Sequence, residues 1–360
     1  MDKVGGEVKN WKYVSYEKIP ESFNQWKLTE SDYRVFKKTD WVVTEKIHGA
    51  NFGITTDGFS VGFAKRKEFL PPEADFFNYQ SLKDKLVEKV KEIFRILQAE
   101  RKQLAIAYVY GELFGGEYPH PDVAAVTNIQ AVQTGVYYSP KIEYCAFDIA
   151  IEENNQSVAQ SYLDYDKAIK LFQQVGIMYS QPLFIGRYEE ALAYNVEFDS
   201  TIPALLGLPK LPFINKAEGI VIKPVKSIYI DTPKAKLRPI LKKKIPEFAE
   251  DSRFHQAKKW ETTPAILLPE DQTIESELSQ EMLALVTPNR LNNVISKIGR
   301  VSASDQEQKQ EVIELLVSDV LETFNEEYES LFCCLSGEIQ QNMIEQMHYY
   351  CDKLVDDDLR

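Results

Sequence analysis

The chain has 360 residues, 44% of them hydrophobic, with 16 Gly, 17 Pro and 55 acidic against 42 basic residues for a net charge of −13. That balance excludes a collagen-like or low-complexity chain and a disulfide-stapled miniprotein, and the length fits about two average domains. No run approaches the ~18 apolar residues of a membrane span, and Met1 to Tyr16 carries Asp2, Lys3, Glu7, Lys9 and Lys12 instead of an apolar signal core, so a cytoplasmic protein with no membrane partner is expected.

In chain order, the first region reads as mixed α and β. Short β-branched or aromatic runs bounded by turn residues predict strands at 41–48, 52–56, 60–64, 105–110, 142–151, 219–223 and 237–244. Leu82, Leu86, Val90, Ile93, Phe94 and Leu97 predict a helix over 79–101, and Leu163, Ala168, Ile169 and Phe172 predict another over 162–175. Strands and helices do not alternate regularly, and neither GxGxxG nor GxxxxGK[ST] occurs, so neither a Rossmann domain nor a P-loop fold is indicated.

After about Pro264 the pattern turns to acidic amphipathic helices. Thr287 before Pro288 is a start signal, and Ser304 with Glu307 has capping-box spacing. Val312, Leu315, Leu316, Val320 and Leu321 form an apolar stripe, and a third helix is expected over 337–354. The expected domains are 1–265, mixed α and β, and 266–360, helical. Their charges differ: Glu270 to Arg360 holds 20 acidic and 6 basic residues, a net of −14, leaving residues 1–269 at +1. Only the first, with basic runs at Lys65–Lys67 and Lys234–Lys244, suits a phosphate backbone. Cys145, Cys333, Cys334 and Cys351 show no CxxC spacing and read as small buried hydrophobes. His48, His120, His255 and His348 show no paired ligand spacing, so no zinc site is expected.

One stretch carries chemistry. In Thr44-Glu45-Lys46-Ile47-His48-Gly49-Ala50-Asn51-Phe52 an apolar strand delivers a lysine and meets a glycine turn. A desolvated lysine near other cations loses its proton more readily and becomes a nucleophile toward carbonyl or phosphoryl centres; a lone KxxG would more simply be an edge-strand lysine facing solvent. The rest of the chain changes the odds. Tyr110-Gly-Glu-Leu-Phe-Gly-Gly116 places a carboxylate between a strand and a flexible turn, and Tyr144-Cys-Ala-Phe-Asp148 places an aromatic beside another. Glu218 and Lys223 lie five apart, and Lys242 and Lys244 share one face of a strand. Several lysines and carboxylates on strands are what a nucleoside triphosphate and its metal require.

These residues, in this order, resemble the RNA ligase 2 family of covalent nucleotidyltransferases. Glu45 to Phe52 looks like motif I, Gly111-Glu-Leu-Phe-Gly-Gly116 like motif III, Phe147-Asp-Ile149 like motif IIIa, Glu218-Gly-Ile-Val-Ile-Lys223 like motif IV and Ile240-Leu-Lys-Lys-Lys244 like motif V. The resemblance spans about Asp40 to Phe248, and KxHGxNF is its most specific part. His120-Pro-Asp122 and Gly135-Val-Tyr-Tyr-Ser-Pro140 are similar to the RNA-editing branch. The implied fold is α+β, an ATP-grasp-like ligase domain of antiparallel sheets around a nucleotide cleft, followed by an all-helical C-terminal module.

The resemblance also implies an ATP-dependent RNA ligase. Lys46 would attack the α-phosphorus of ATP and hold AMP; the AMP would pass to an RNA 5′-phosphate, and an RNA 3′-hydroxyl would displace it, in duplex or bridged RNA. Lys242 and Lys244 would contact the α-phosphate, with Lys223 near Lys46 to lower its proton affinity. Glu45, Ile47, Asn51, Arg66, Glu112 and Phe147 would join these lysines in binding the nucleotide: Glu45 positioning adenine, Glu112 accepting from the ribose, Phe147 stacking on the base or packing in the core. His48 would donate to a phosphate oxygen or hold a turn. Mg²⁺, with Mn²⁺ as a substitute, would be held by Glu218, directly or through water, and by Asp148, as a ligand or behind one, whose other reading is a strand-end acid. A DNA ligase, which normally carries an OB-fold after motif V, a GTP-using capping enzyme and an inactive RNA-binding scaffold are the alternatives. The acidic module would shape the substrate site or bind another protein.

Overall fold

The computed structural model describes residues 11, 13–154, 160–232, 235–248, 273–299, 301–302, 304–327, 332 and 335–358. The chain divides into two compact units, Met1–Lys244 and Ile245–Arg360. The expected boundary at 265/266, His255 and the pair Cys333 and Cys334 lie outside the described residues.

The first unit is α+β. In chain order its strands are β1 (Trp41–Glu45), β2 (Ala50–Thr56), β3 (Val61–Ala64), β4 (Leu104–Glu117), β5 (Ser139–Glu153), β6 (Ser161–Tyr162), β7 (Pro182–Gly186), β8 (Gly219–Pro224), β9 (Ile230–Asp231), β10 (Lys236–Leu237) and β11 (Leu241–Lys244). Its helices are α1 (Glu30–Lys38), α2 (Gln80–Glu100), α3 (Tyr165–Val175), α4 (Tyr188–Leu192) and α5 (Ile202–Leu205). One antiparallel sheet has the order β11-β8-β1-β7 and another β3-β2-β4-β5-β6, with β9 and β10 a separate pair. Because β1 lies in one sheet and β2 in the other, residues 46–49 link the two.

Each sheet packs one face against helices. Phe52, Ile54, Val109, Leu113 and Ile149 pack against Val90, Phe94 and Leu97 of α2 and Phe172 of α3. Trp41, Val43, Ile220, Ile222 and Leu241 pack with Phe36 of α1 and Tyr188 of α4. Period-2 alternation then sends Val42, Thr44 and Lys46, Val221 and Lys223, and Lys242 and Lys244 to the other face. Lys243, out of phase, donates to the Leu192 carbonyl at 2.6 Å.

Three boundaries differ from expectation. Glu112 does not stand between a strand and a flexible turn: β4 runs on to Glu117, paired with β5 across a bulge at Tyr110/Gly111, so Glu112 sits within a strand. The helix expected from 162 starts at Tyr165, because Leu163 donates to the Ile149 carbonyl and stays with the sheet. The strand expected over 237–244 breaks into β10 and β11 around Pro239, which has no N–H for a ladder.

The second unit holds α6 (Thr273–Ala284), α7 (Pro288–Ile298), α8 (Gln306–Glu327) and α9 (Gly337–Asp358). Met282, Leu291, Val294, Val312, Leu316, Val320, Phe324, Met343, Met347 and Cys351 form its core. Thr287 caps α7 by accepting from Arg290 N. Asp305, not Ser304, caps α8: its Oδ1 accepts from Glu307 N and Gln308 N at 3.1 Å, since Ser304 stands one residue too early. The buried Arg290 donates to Asp319 at 2.7 Å and Thr323 at 2.9 Å.

Candidate active site

Lys46 follows the last residue of β1. Its backbone N–H donates to the Gly219 carbonyl at 3.0 Å, continuing the β1–β8 ladder, and its Nζ donates to Glu218 Oε2 at 2.6 Å. The same oxygen lies 3.2 Å from His48 Nδ1, and Glu218 Oε1 lies 3.4 Å from Lys244 Nζ. Glu218 is buried, and burial alone would raise its carboxyl; Lys46, His48 and Lys244 instead hold it well below the ordinary range. Two positions 172 apart and a strand end thus form one cluster of alternating charge in which Lys46 remains 22% exposed, the opening a nucleophile needs.

The turn after Lys46 is fixed from both sides. His48 N donates to the hydroxyl of the buried Tyr138 at 2.9 Å, and Gln133 Nε2 donates to the Gly49 carbonyl at 3.4 Å. A Cβ on Gly49 would stand 2.1 Å from the Leu113 carbonyl oxygen and 2.9 Å from Glu112 Cγ. Gly49→Ala is accordingly expected to cost about 1–3 kcal/mol and lower the melting temperature by several degrees; a thermal scan matching the unmutated chain would refute this close approach.

Asn51 and Glu112 are cross-strand partners on the face of β2 and β4 opposite the α2 core. Burial pushes the Glu112 carboxyl up to about 8, with Lys46 and Arg66 opposing and Glu218 adding to the rise. Arg66 lies beyond β3, where the Tyr13 hydroxyl reaches its carbonyl at 2.7 Å. Because the folded value is raised, the stability carried by neutral Glu112 is full below its ordinary 4.5 and is lost as pH climbs through about 8. Glu112→Gln should gain stability relative to the unmutated chain between pH 5 and pH 8.5; urea midpoints whose difference is the same at both would refute the sign.

Three expectations are corrected. Lys223 does not stand beside Lys46: its register partner is Val42, four residues up the strand, or about 13 Å at strand rise. Its Nζ instead donates to the Phe147 carbonyl at 2.7 Å and lies 3.4 Å from Asp148; burial lowers its ammonium while Asp148 opposes. Asp148 is not an open metal ligand. Tyr16 and Arg238 donate to its Oδ2 at 2.8 and 3.1 Å, and with Lys223 beside it the carboxylate is enclosed by donors. Burial would raise it, but Arg238 and Lys223 hold it below its usual value. Glu45 does not offer a free carboxylate to a base: Ser200 Oγ donates to Oε1 at 2.6 Å, and Thr201 N and Oγ1 donate to Oε2 at 2.8 and 2.7 Å. Ile47 is buried beside it, and Phe147, half-buried, meets Tyr16 edge-on at 4.9 Å. Lys242, opposite Val221, has Glu21 at 3.9 Å.

A family described as RNA ligase matches residues 39–244, and one described as T4 RNA ligase 2 C-terminal matches residues 269–353. The RNA-editing ligase 2, mitochondrial, of Trypanosoma brucei brucei is 34% identical over 321 residues, 79% of this chain and 76% of that protein.

The chain belongs to the RNA ligase family.

RNA-editing ligase 1, mitochondrial, from the same organism is 28% identical to this RNA ligase, covering 88% of this chain and 76% of that one. Among solved structures, a Naegleria gruberi RNA ligase variant with ATP and Mn has a TM-score of 0.40 at 15% identity, covering 63% of this chain and 56% of that one. The same ligase with PPi gives 0.41 at 14%, covering 64% and 56%. Sequence reasoning missed Tyr138, Tyr16 and Arg238. Tyr138 and Arg238 fall within stretches it quoted, but contacts spanning 90, 132 and 222 positions leave no local signal.

Proposed function

We propose that this RNA ligase joins an RNA 3′-hydroxyl to an RNA 5′-phosphate at a nick or bridged break, through AMP carried on Lys46 and then on the RNA 5′ end. ATP-dependent joining of RNA is the activity of its family. The observation that carries the detailed reading is Lys46 Nζ held at 2.6 Å from Glu218 with Lys244 and His48 on the same carboxylate. Lys46 attacks the α-phosphorus of ATP, the P–N bond forms as the P–O bond to pyrophosphate breaks, and the ammonium proton must leave first. Glu218, within hydrogen-bond reach, accepts that proton and passes it to water, and pyrophosphate leaves with the electron pair of the broken P–O bond. Lys244 and Lys242, in phase on β11, stabilise charge on the non-bridging oxygens. Asn51 and Glu112, opposed across β2 and β4, face the ribose.

The same residues fit a divalent cation. Glu112, raised to about 8 by burial, is a hard oxygen donor short of positive charge, and Glu218 stands close enough to raise it further. Among the described residues no group of three or more metal-ligating side chains occurs, which suits an ion that keeps most of its water, as Mg²⁺ does. Glu112 would hold it directly and Glu218, already paired with Lys46, His48 and Lys244, through water, and it would neutralise phosphate oxygens as charge develops. The acidic helical unit is read as a contact for another protein.

The test is to incubate the protein with a divalent cation and ATP labelled at the α-phosphate, then add nicked duplex RNA. Label moving from ATP to protein to the RNA 5′ end supports this reading. Equal labelling by GTP would favour a capping-type enzyme, and no label after pyrophosphate stripping would favour a scaffold.

A further inference from the structure

The segment from Ile202 through Lys216 is built oddly for a connection. Leu205, Phe213 and Ile214 are 42%, 44% and 74% exposed, yet the backbone under them is firmly tied. The Tyr118 hydroxyl donates to the Pro209 carbonyl at 2.6 Å. Buried Asn215 clamps Tyr137, accepting from its N–H at 2.9 Å and donating to its carbonyl at 2.7 Å. Asn215 N reaches Asp199 Oδ1 at 3.3 Å, and Ser200 N donates to the Asn215 carbonyl at 2.8 Å. Apolar side chains held outward on a fixed backbone serve no core.

Their position says what they meet. The half-buried Tyr137 ring packs edge-on to Phe213 at 5.8 Å, while the next residue, Tyr138, points inward and accepts the His48 N–H. Asn215 is three residues from Glu218. Both ends of the patch are therefore joined through the chain to the Lys46–Glu218 cluster: Tyr138, next to Tyr137, holds His48, and Asn215 stands three residues before Glu218. Lys210, 82% exposed with Asp199 at 3.3 Å, and Lys216, with Glu197 at 3.5 Å, lie in the same segment.

We propose that Tyr137, Phe213 and Ile214 form a stacking platform for a terminal nucleobase of the RNA being joined, with Lys210 and Lys216 beside its phosphates. An exposed aromatic next to lysines is how single strands are held without sequence preference, because every base has a π-face. The inference rests on the ligase reading and names where that enzyme holds its polynucleotide.

The experiment compares Phe213→Ser, the double variant Phe213→Ser/Ile214→Ser and Phe213→Trp with the unmutated full-length chain. It reads protein labelling from α-labelled ATP, which uses no RNA, and KM and kcat for sealing nicked RNA already adenylylated at its 5′ end. The expected result is labelling within about twofold of the unmutated chain, a KM for RNA raised roughly 10- to 100-fold in the serine variants, and recovery in Phe213→Trp. An unchanged KM in the double variant overturns the platform and leaves the patch to a protein partner. Loss of labelling together with sealing also overturns it, as a purely structural role. If the unmutated chain takes no label, the ligase reading itself fails and the platform falls with it.

Discussion

Lys46→Ala is expected to lose transfer of AMP from ATP to the protein by at least about 10⁴-fold, because the variant lacks the nitrogen that forms the P–N bond. The fold should survive, since Lys46 is the most exposed member of its cluster and Glu218 keeps Lys244 and His48 as partners. The informative comparison is with RNA supplied already adenylylated. That last step needs no lysine nucleophile, so Lys46→Ala should seal such RNA far better than it seals the 5′-phosphate with ATP. Equal loss in both assays would mean that Lys46 mainly holds Glu218 in place, and residual labelling of the variant would assign the nucleophile elsewhere.

Asp148→Ala is expected to cost about 3–5 kcal/mol, since it leaves the buried Lys223 without its carboxylate and Arg238 with Glu17 alone, to which its Nε donates at 2.6 Å. In a unit of this size that amounts to a fall in melting temperature of roughly 10 °C. The folded carboxyl lies below its ordinary 3.8, so its contribution is present above that value and is lost as pH falls through the lower folded one. The gap between variant and unmutated chain should accordingly be full at pH 7 and narrow below about pH 4. Lys223→Met in the Asp148→Ala background should recover part of the loss, since Asp148 is the carboxylate beside Lys223. A variant as stable as the parent, but needing far more divalent cation for labelling, would restore Asp148 as a metal ligand.

What could be read without coordinates follows from how each residue acts. Lys46, Glu218 and Lys244 were legible because nucleotidyl transfer restricts residue type and strand alternation restricts spacing. Glu45 and Asp148 were legible as carboxylates but not in their roles: a carboxylate's work depends on what surrounds it, and Ser200, Thr201, Arg238 and Tyr16 come from elsewhere in the chain. Lys223 was assigned to the wrong neighbour because spacing within β8 says nothing of its offset along β1. The full length of β4 was hidden by its glycines. Gly111 reads as a turn residue, yet it is there because a Cβ would meet the Tyr144 ring at 2.4 Å. The helical unit was the most legible part, since a 3.6-residue stripe is a local signal.

The alternation of Lys242, Lys243 and Lys244 across β11 bears on how this chain can vary through descent. Substitutions in β8 and β11 change one side chain at a time, but inserting or deleting a single residue exchanges the two faces of everything beyond it. A deletion inside β11 would turn Lys242 or Lys244 toward Ile220 and Ile222 and bring an apolar residue to the face they share with Lys46. Length changes should therefore be absent from Gly219–Pro224 and Leu241–Lys244 in any active descendant.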